Sequence, residues 1–367
     1  MNATSSSAGV PWRHRLYGAA FTALAATGAR RWLGPIARGD GVILTFHHVR
    51  PWREKAFAPN RYLEITPEFL GSTVRTLLEE GFEVIPLDDV PARLSHARSR
   101  RPFAVLTFDD GYRDNLYHAR PVLRDLGVPW TLFVTESLAS GTGRLWWVEL
   151  EAAVARLDRV AHDGPHGRFE MRTRTVGEKY AAFRRLSGLF ARGAHADLLE
   201  GVAALSASAD VDGARIARLL CADWSELTFL AADPSVTIGS HTLSHPVLSR
   251  VTAKAADAEI GDSKSAIAAR IGRPVRHLAY PSGGAADAGE REFGLARGHG
   301  YATAVTTRPG HVDRRHGSAL TALPRISVNG HHQDVGRIRQ LASGVPFLPA
   351  AMMSLARHGP ASGWRRS

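Results

Sequence analysis

The chain has 367 residues, 44% hydrophobic and 22% charged, a globular composition that can bury a large core and excludes a predominantly disordered protein. The net charge of +11 is nearly all arginine and suits an anionic membrane surface or an acidic substrate; with no basic block interleaved with aromatics, nucleic acid is set aside as a partner. Cys221 is the only cysteine, which excludes an internal disulfide and a thiolate cluster, so any metal must be held by histidines and carboxylates.

Residues 1–40 form a basic, apolar extension, in which a stretch over residues 16–29 lies between Arg13-His14-Arg15 and Arg30-Arg31. At 14 residues it is too short to span a bilayer comfortably. It reads as a helix lying on a membrane surface, with contact through residues 12–38, as a weak signal peptide, or as a helix packed on the body of the protein. Arginines on both flanks favour the surface helix over the signal peptide, with packing on the body ranked level with it, and a cytoplasmic or inner-membrane peripheral location is expected over export. The run Gly41-Val42-Ile43-Leu44-Thr45-Phe46 is the first strong strand and ends on His47-His48-Val49. Thr66-Pro67-Glu68 opens a helix as an N-cap, a proline at the first position and an acid in the first turn; Gly81 stops it. Residues 83–87 read as a short strand, with Asp88 capping the next helix.

Residues 103–108 form an apolar run that ends at Asp109-Asp110-Gly111, a buried strand opening into a loop. Successive side chains on a strand face opposite sides, so the two acids should do different jobs: one can hold a metal while its neighbour takes a proton. The alternative is that the pair begins a turn and caps a helix starting near Asp114. That helix closes at Gly127, and residues 130–135 are the next buried strand. Strands alternating with helices argue for a parallel β/α architecture, whose functional loops gather at the C-terminal strand ends.

Over residues 141–222 the strand rhythm stops. Leu150, Val154, Leu157 and Val160 recur at helical spacing, and Thr175 with Glu178 forms a capping box, so this is a mostly helical insertion. Trp146 and Trp147 at its entrance either belong to its core or stack on sugar rings. Asp223-Trp224-Ser225-Glu226 is a second capping box. The strand at 236–240 then runs into His241-Thr242-Leu243-Ser244-His245, two imidazoles that fall on the same side of one helical turn. With a carboxylate they make three ligands, the usual number for catalytic zinc; a histidine pair on a loop can also be incidental. A long helix follows at 252–271. The strand beginning at His277 breaks on Tyr280-Pro281-Ser282-Gly283-Gly284, where backbone amides can approach a ligand closely. Residues 301–305 and 323–328 are late strands, and the tail after Pro349 is read as exposed. There is no internal repeat and no Gly-Xaa-Ser-Xaa-Gly elbow.

Three segments, in this order, carry a resemblance: Thr107-Phe108-Asp109-Asp110-Gly111, Ser240-His241-Thr242-Leu243-Ser244-His245-Pro246 and Ala279-Tyr280-Pro281-Ser282-Gly283. The sequence resembles the polysaccharide deacetylases of carbohydrate esterase family four, the group with the NodB homology domain. The resemblance implies a distorted (β/α) barrel with about seven parallel strands. It would occupy residues 41–330 with the 141–222 insertion inside it, followed by a C-terminal tail at 331–367. It assigns Asp110, His241 and His245 to a divalent metal, with zinc the expected ion, and Asp109 to the base; an acetylated carbohydrate is the expected substrate. A backbone amide near Tyr280 and Pro281 would meet the oxyanion. It suggests His47 as an auxiliary residue near the site and Arg325 as the group that orients Asp109; either could instead be purely structural. In one place the sequence departs from the family. Many members supply a general acid from a late-strand Leu-Xaa-His segment, and residues 320–328 contain no histidine. That leaves N-acetyl and O-acetyl substrates both open. The expected function is metal-dependent removal of N-acetyl or O-acetyl groups from a glycan, and the alternative is a catalytically silent glycan-binding or envelope-assembly protein on the same scaffold.

Overall fold

The apolar runs read as buried strands assemble into one parallel sheet in a computed structural model that describes residues 27–95, 101–164, 167–190 and 193–348. The expectations for residues 12–26 and for the tail beyond 348 lie outside the described residues. In chain order the strands are β1 (Gly41–Phe46), β2 (His48–Val49), β3 (Glu64–Ile65), β4 (Glu83–Val84), β5 (Phe103–Phe108), β6 (Trp130–Val134), β7 (Arg159–Gly164), β8 (Gly167–Arg172), β9 (Val236–Ser240), β10 (His277–Ala279), β11 (Thr303–Val305) and β12 (Ile326–Ser327). Seven of them lie side by side in the order β11-β10-β9-β6-β5-β1-β12, with β4 paired to β5. The two edges of this sheet meet where Leu323 donates to Ala304 O (3.0 Å) and accepts from Thr306 N (2.8 Å). This is the distorted (β/α) barrel expected from the resemblance.

β1, β5 and β6 are buried at every position, because one face lines the barrel interior and the other is covered by helices; that is why they read as continuous apolar runs. Side-chain alternation then fixes direction. Ile43, Val105, Phe133, Ala279 and Val305 form the inner cluster, while Leu44, Leu106, Phe108 and Leu132 pack outward against the helices. By the same parity Thr107 and Asp109 follow Val105 on the inner side. β1 and β5 pair in register from Gly41 and Phe103 to Phe46 and Phe108, so His47 and Asp109 leave the sheet at the same level.

Several local readings hold in detail. Thr66 accepts from Phe69 N, and both capping boxes form, at Thr175 with Glu178 and at Asp223 with Glu226. Others differ. The helix at Trp146–Arg156 ends before Leu157, and Val160 faces the insertion core from the antiparallel hairpin β7–β8. Helical spacing misleads here because the outer face of the hairpin is polar, leaving too few apolar positions to reveal a period of two. Asp88 caps no helix; its carboxylate lies 3.1 Å from His277 Nε2 and 3.4 Å from Arg276, tying down the N-terminal end of β10. Helix Val335–Ala342 buries Ile338 and Ala342 in the outer barrel cluster. No helix among the described residues is long and apolar enough to cross a membrane.

Candidate active site

The C-terminal end of β5 delivers two carboxylates to different places, and backbone geometry is the reason. Asp109 continues the strand, its amide donating to Phe46 O (3.0 Å), and stays on the inner face. Asp110 then turns into the left-handed region at φ 69°, followed by Gly111 at 66°. Thr242, His245 and Ser282 also adopt positive φ, so four of the five such non-glycine residues among those described lie in the three motif loops. Each costs about 1–3 kcal/mol, which the surrounding bonds must outweigh. One such set is the Glu259 carboxylate, which accepts from Leu243 N (2.8 Å) and Ser244 N (2.9 Å). The two histidines therefore sit on a strapped loop rather than on the helical turn that their spacing suggests.

The loop brings His241 Nε2 to 3.5 Å and His245 Nε2 to 3.3 Å from Asp110 Oδ1. One ligand atom from each of the three residues lies within 4.8 Å of the others, a grouping able to hold a metal ion. The Nδ1 of His241 is 2.7 Å from Ala279 O, a contact that requires the proton on Nδ1 and aims Nε2 at Asp110, where it donates when the ring is charged and offers its lone pair when it is neutral. Burial by itself raises the Asp110 pKa, but the bonds from His241 and His245 hold it well below the usual carboxylate range. His241 shows the converse: burial works against its charge, and Asp110 and Asp109 carry it above its ordinary value.

Asp109 belongs to a different pair. Fully buried Arg325 donates from Nη1 and Nη2 to its two carboxylate oxygens at 2.8 and 2.7 Å, from Nη1 to Thr107 Oγ1 at 3.1 Å, and from Nε to Thr306 O at 2.9 Å. Burial disfavours the Asp109 anion; the Arg325 guanidinium, with His241 and His47 behind it, outweighs that cost and keeps the carboxyl below its ordinary value. His47 is half-buried next to this pair, lowered by burial while Asp110 and Asp109 act in the opposite sense.

The Tyr280-Pro281 turn stands apart in its side chains. The Tyr280 phenol is buried and donates to Thr321 O (2.8 Å), pointing away from the carboxylates, and Pro281 is buried behind it. The Tyr280 amide donates to Val305 O at 3.2 Å, the long end of the range, so an oxyanion there would compete with that carbonyl.

Sequence reasoning missed the layer beneath. Asp114 accepts from His48 Nδ1 (2.6 Å) and Val49 N (3.1 Å), and the His48 ring stacks on Tyr112 at 3.5 Å. Trp147 Nε1 donates to the Tyr112 hydroxyl (3.1 Å), and its ring lies 5.0 Å from that of His245. Trp147 is thus buried core and wall of the site together. Asn60 reaches Trp147 O (2.8 Å) and Glu151 (2.9 Å), joining the loop after β2 to the insertion. On that loop Tyr62 is 42% exposed, and partial desolvation with the charges of Asp110 and Glu151 raises its phenol above the ordinary value. The signal available was position alone: Tyr112 and Asp114 directly follow the acid pair.

The family model for polysaccharide deacetylase matches residues 96–180 and 193–301, more than half of the chain. Among solved structures, the Streptococcus pyogenes deacetylase PplD in complex with acetate is 17% identical, with a TM-score of 0.51 over 79% of this chain and 92% of that one. IcaB from Ammonifex degensii is 17% identical, with a TM-score of 0.52 over 83% and 98%. BC0361, a polysaccharide deacetylase from Bacillus cereus, is 15% identical, with a TM-score of 0.51 over 82% and 68%. At these identities the likeness is one of fold. Comparison with curated proteins finds no match. The family match runs through the strands whose ends carry Asp109, Asp110 and the two imidazoles, and the chain belongs to the polysaccharide deacetylases, hydrolases that act on acetyl groups.

Proposed function

We propose that this protein hydrolyses N-acetyl or O-acetyl groups on a glycan with the help of a divalent cation. The observation that carries the reading is a buried carboxylate, Asp109, held ionised beside a separate Asp110, His241 and His245 cluster at one barrel mouth. The donor set of two imidazole nitrogens and one carboxylate oxygen suits zinc, and the His241 proton on Nδ1 leaves Nε2 free to bind. Bound there, the ion would polarise the acyl carbonyl and lower the pKa of a water toward neutrality.

The remaining chemistry belongs to the chain. Asp109 takes the proton from the attacking water; each of its oxygens receives one N–H from Arg325 and keeps a lone pair for that proton. Arg325 positions the base and keeps it charged at neutral pH. His47, leaving β1 at the level of Asp109, would relay to the leaving amine or alkoxide the proton that Asp109 has taken from the water, the role for which residues 320–328 offer no histidine. The Tyr280 N–H would assist the oxyanion by exchanging its 3.2 Å bond to Val305 O for one to the developing charge.

Acetate release from a panel of N-acetylated and O-acetylated oligosaccharides tests the reading, with Asp109→Asn as the control and metal content measured in parallel. Release by the wild type and its loss in the variant are expected. Metal retention with no acetate from any glycan in the panel would replace hydrolysis with glycan binding alone.

A further inference from the structure

The excess of positive charge in the sequence lies at its two chain ends. Five arginines precede the first acid of the sequence, Asp40, and five follow the last, Asp334, so the ends carry ten positive charges of a net +11. The body between them is close to neutral. The fold sets the described parts of the two ends against each other. Gly34, in helix Ala29–Ala37, faces Ser343, and His311 clamps both sides, with Nδ1 at 2.6 Å from Arg38 O and Nε2 at 2.8 Å from Leu341 O. This helix feeds β1 at its N-terminal end, where Asp40 N and Gly41 N donate to Val312 O (2.9 and 3.1 Å). The described part of this junction, with Arg30, Arg31, Arg38, Arg337 and Arg339, therefore occupies the pole of the barrel opposite Asp110 and the imidazoles.

The helix turns Gly34 inward and leaves Arg31, Trp32, Leu33, Pro35 and Ile36 exposed, with Trp32 and Ile36 each 81% accessible. A single exposed apolar side chain is ordinary. An indole and an aliphatic side chain four residues apart on one helix face, among arginines and without a nearby acid on the same segment, have the composition of a helix at a lipid interface. Arg30, Arg38 and Arg339 are partly committed, to the Glu80 carboxylate, the Glu80 carbonyl and Glu79 at 2.7, 3.3 and 2.8 Å. Phosphates of a nucleic acid would answer the remaining arginines but give Trp32 and Ile36 nothing to bury against.

We propose that this pole docks on an anionic phospholipid surface, with Trp32 and Ile36 entering the headgroup boundary and the arginines neutralising lipid phosphates. Docked so, the protein directs the C-terminal strand ends and their site away from the bilayer, toward glycan that stands off the surface. The proposal does not depend on the catalytic reading.

Co-sedimentation of the full chain with vesicles tests it. Pelleting is expected with mixed phosphatidylglycerol and phosphatidylcholine vesicles, weakening as salt rises, and little with phosphatidylcholine alone. The double variant Trp32→Ser, Ile36→Ser should bind about tenfold more weakly or worse, and Arg31→Glu should show an intermediate loss. Both variants change exposed side chains and should keep wild-type circular dichroism and acetate release from soluble substrate. Failure of the wild type to pellet with anionic vesicles overturns the proposal. So does wild-type binding by the double variant, the result expected if the chain's own flanking segments cover this face. Retention on duplex DNA at a salt concentration that abolishes vesicle binding would reassign the charge to nucleic acid.

Discussion

Arg325 has no exposed surface, so every edge of its guanidinium must be answered within the barrel, and Asp109, Thr107 and Thr306 do so. A buried pair of this kind adds little over a well-packed apolar substitute, but removing one member strands the other charge. Arg325→Met should therefore destabilise the fold by about 3–5 kcal/mol in denaturant unfolding. Burial alone pushes Asp109 up, and Arg325 is the strongest influence pulling it down, so the acid limb of kcat/KM should move to higher pH in any of this variant that folds. An unmoved limb would show that Arg325 does not set the charge of the base. Asp109→Asn separates base from ligand. It should lower kcat by about 10²–10⁴-fold with bound metal unchanged, read by single-turnover acetate release beside metal analysis. Metal lost together with activity would make Asp109 a ligand.

At the scale of elements, the site depends on segments that follow strands and have little regular structure of their own. After β1 the chain is held by the pairing of β2 with β3 and by one carboxylate: Asp114 receives His48 and Val49 and thereby helps to fix the residue before them, His47. Asp114→Ala should cost about 1.5–3 kcal/mol, the range for bonds to a charged group, and should lower kcat more than it raises KM, with metal binding kept. A pure KM effect would mean that this anchor serves substrate access and not His47. The same distinction explains how much the sequence discloses. Strands buried on both faces leave unbroken apolar runs, and the acids and imidazoles stand immediately after them, so β5 and β9 announce both themselves and the site. Asp114 is invisible because a polar residue in a loop looks the same whether it caps a helix or reaches across to a histidine 66 positions away. The segment after it opens with a wide turn at Asn115–Ala119 instead of a regular helix start, which frees its carboxylate for that reach. The hairpin β7–β8 is hidden for another reason: only Val160 and Phe169 of its residues are fully buried, too few to set a period.

For the whole molecule, Asp110 and His241 join β5 to β9 across 131 positions of sequence, so whatever occupies their meeting point is part of global stability. Without a cation the two sides hold each other by charge. Asp110 is depressed, so its contribution is present above its unfolded value near pH 4 and is lost as pH falls through the folded one. His241 is raised, so its contribution is complete below about pH 6.5 and is lost as pH rises through its higher folded value. In the metal-free protein this pair therefore stabilises most between about pH 4 and 6.5 and fades above that window. A bound divalent ion reverses the trend, because it needs the imidazoles unprotonated and so binds more tightly as pH rises. At a hundredfold excess over its dissociation constant it would add about 2.7 kcal/mol. Scanning calorimetry of chelator-treated and zinc-loaded protein should thus show a gap in Tm that widens from about pH 6 to about pH 8. A gap of the same size at both ends would mean that the ion displaces no proton from His241, and the cation would then have to be held somewhere other than between these strands.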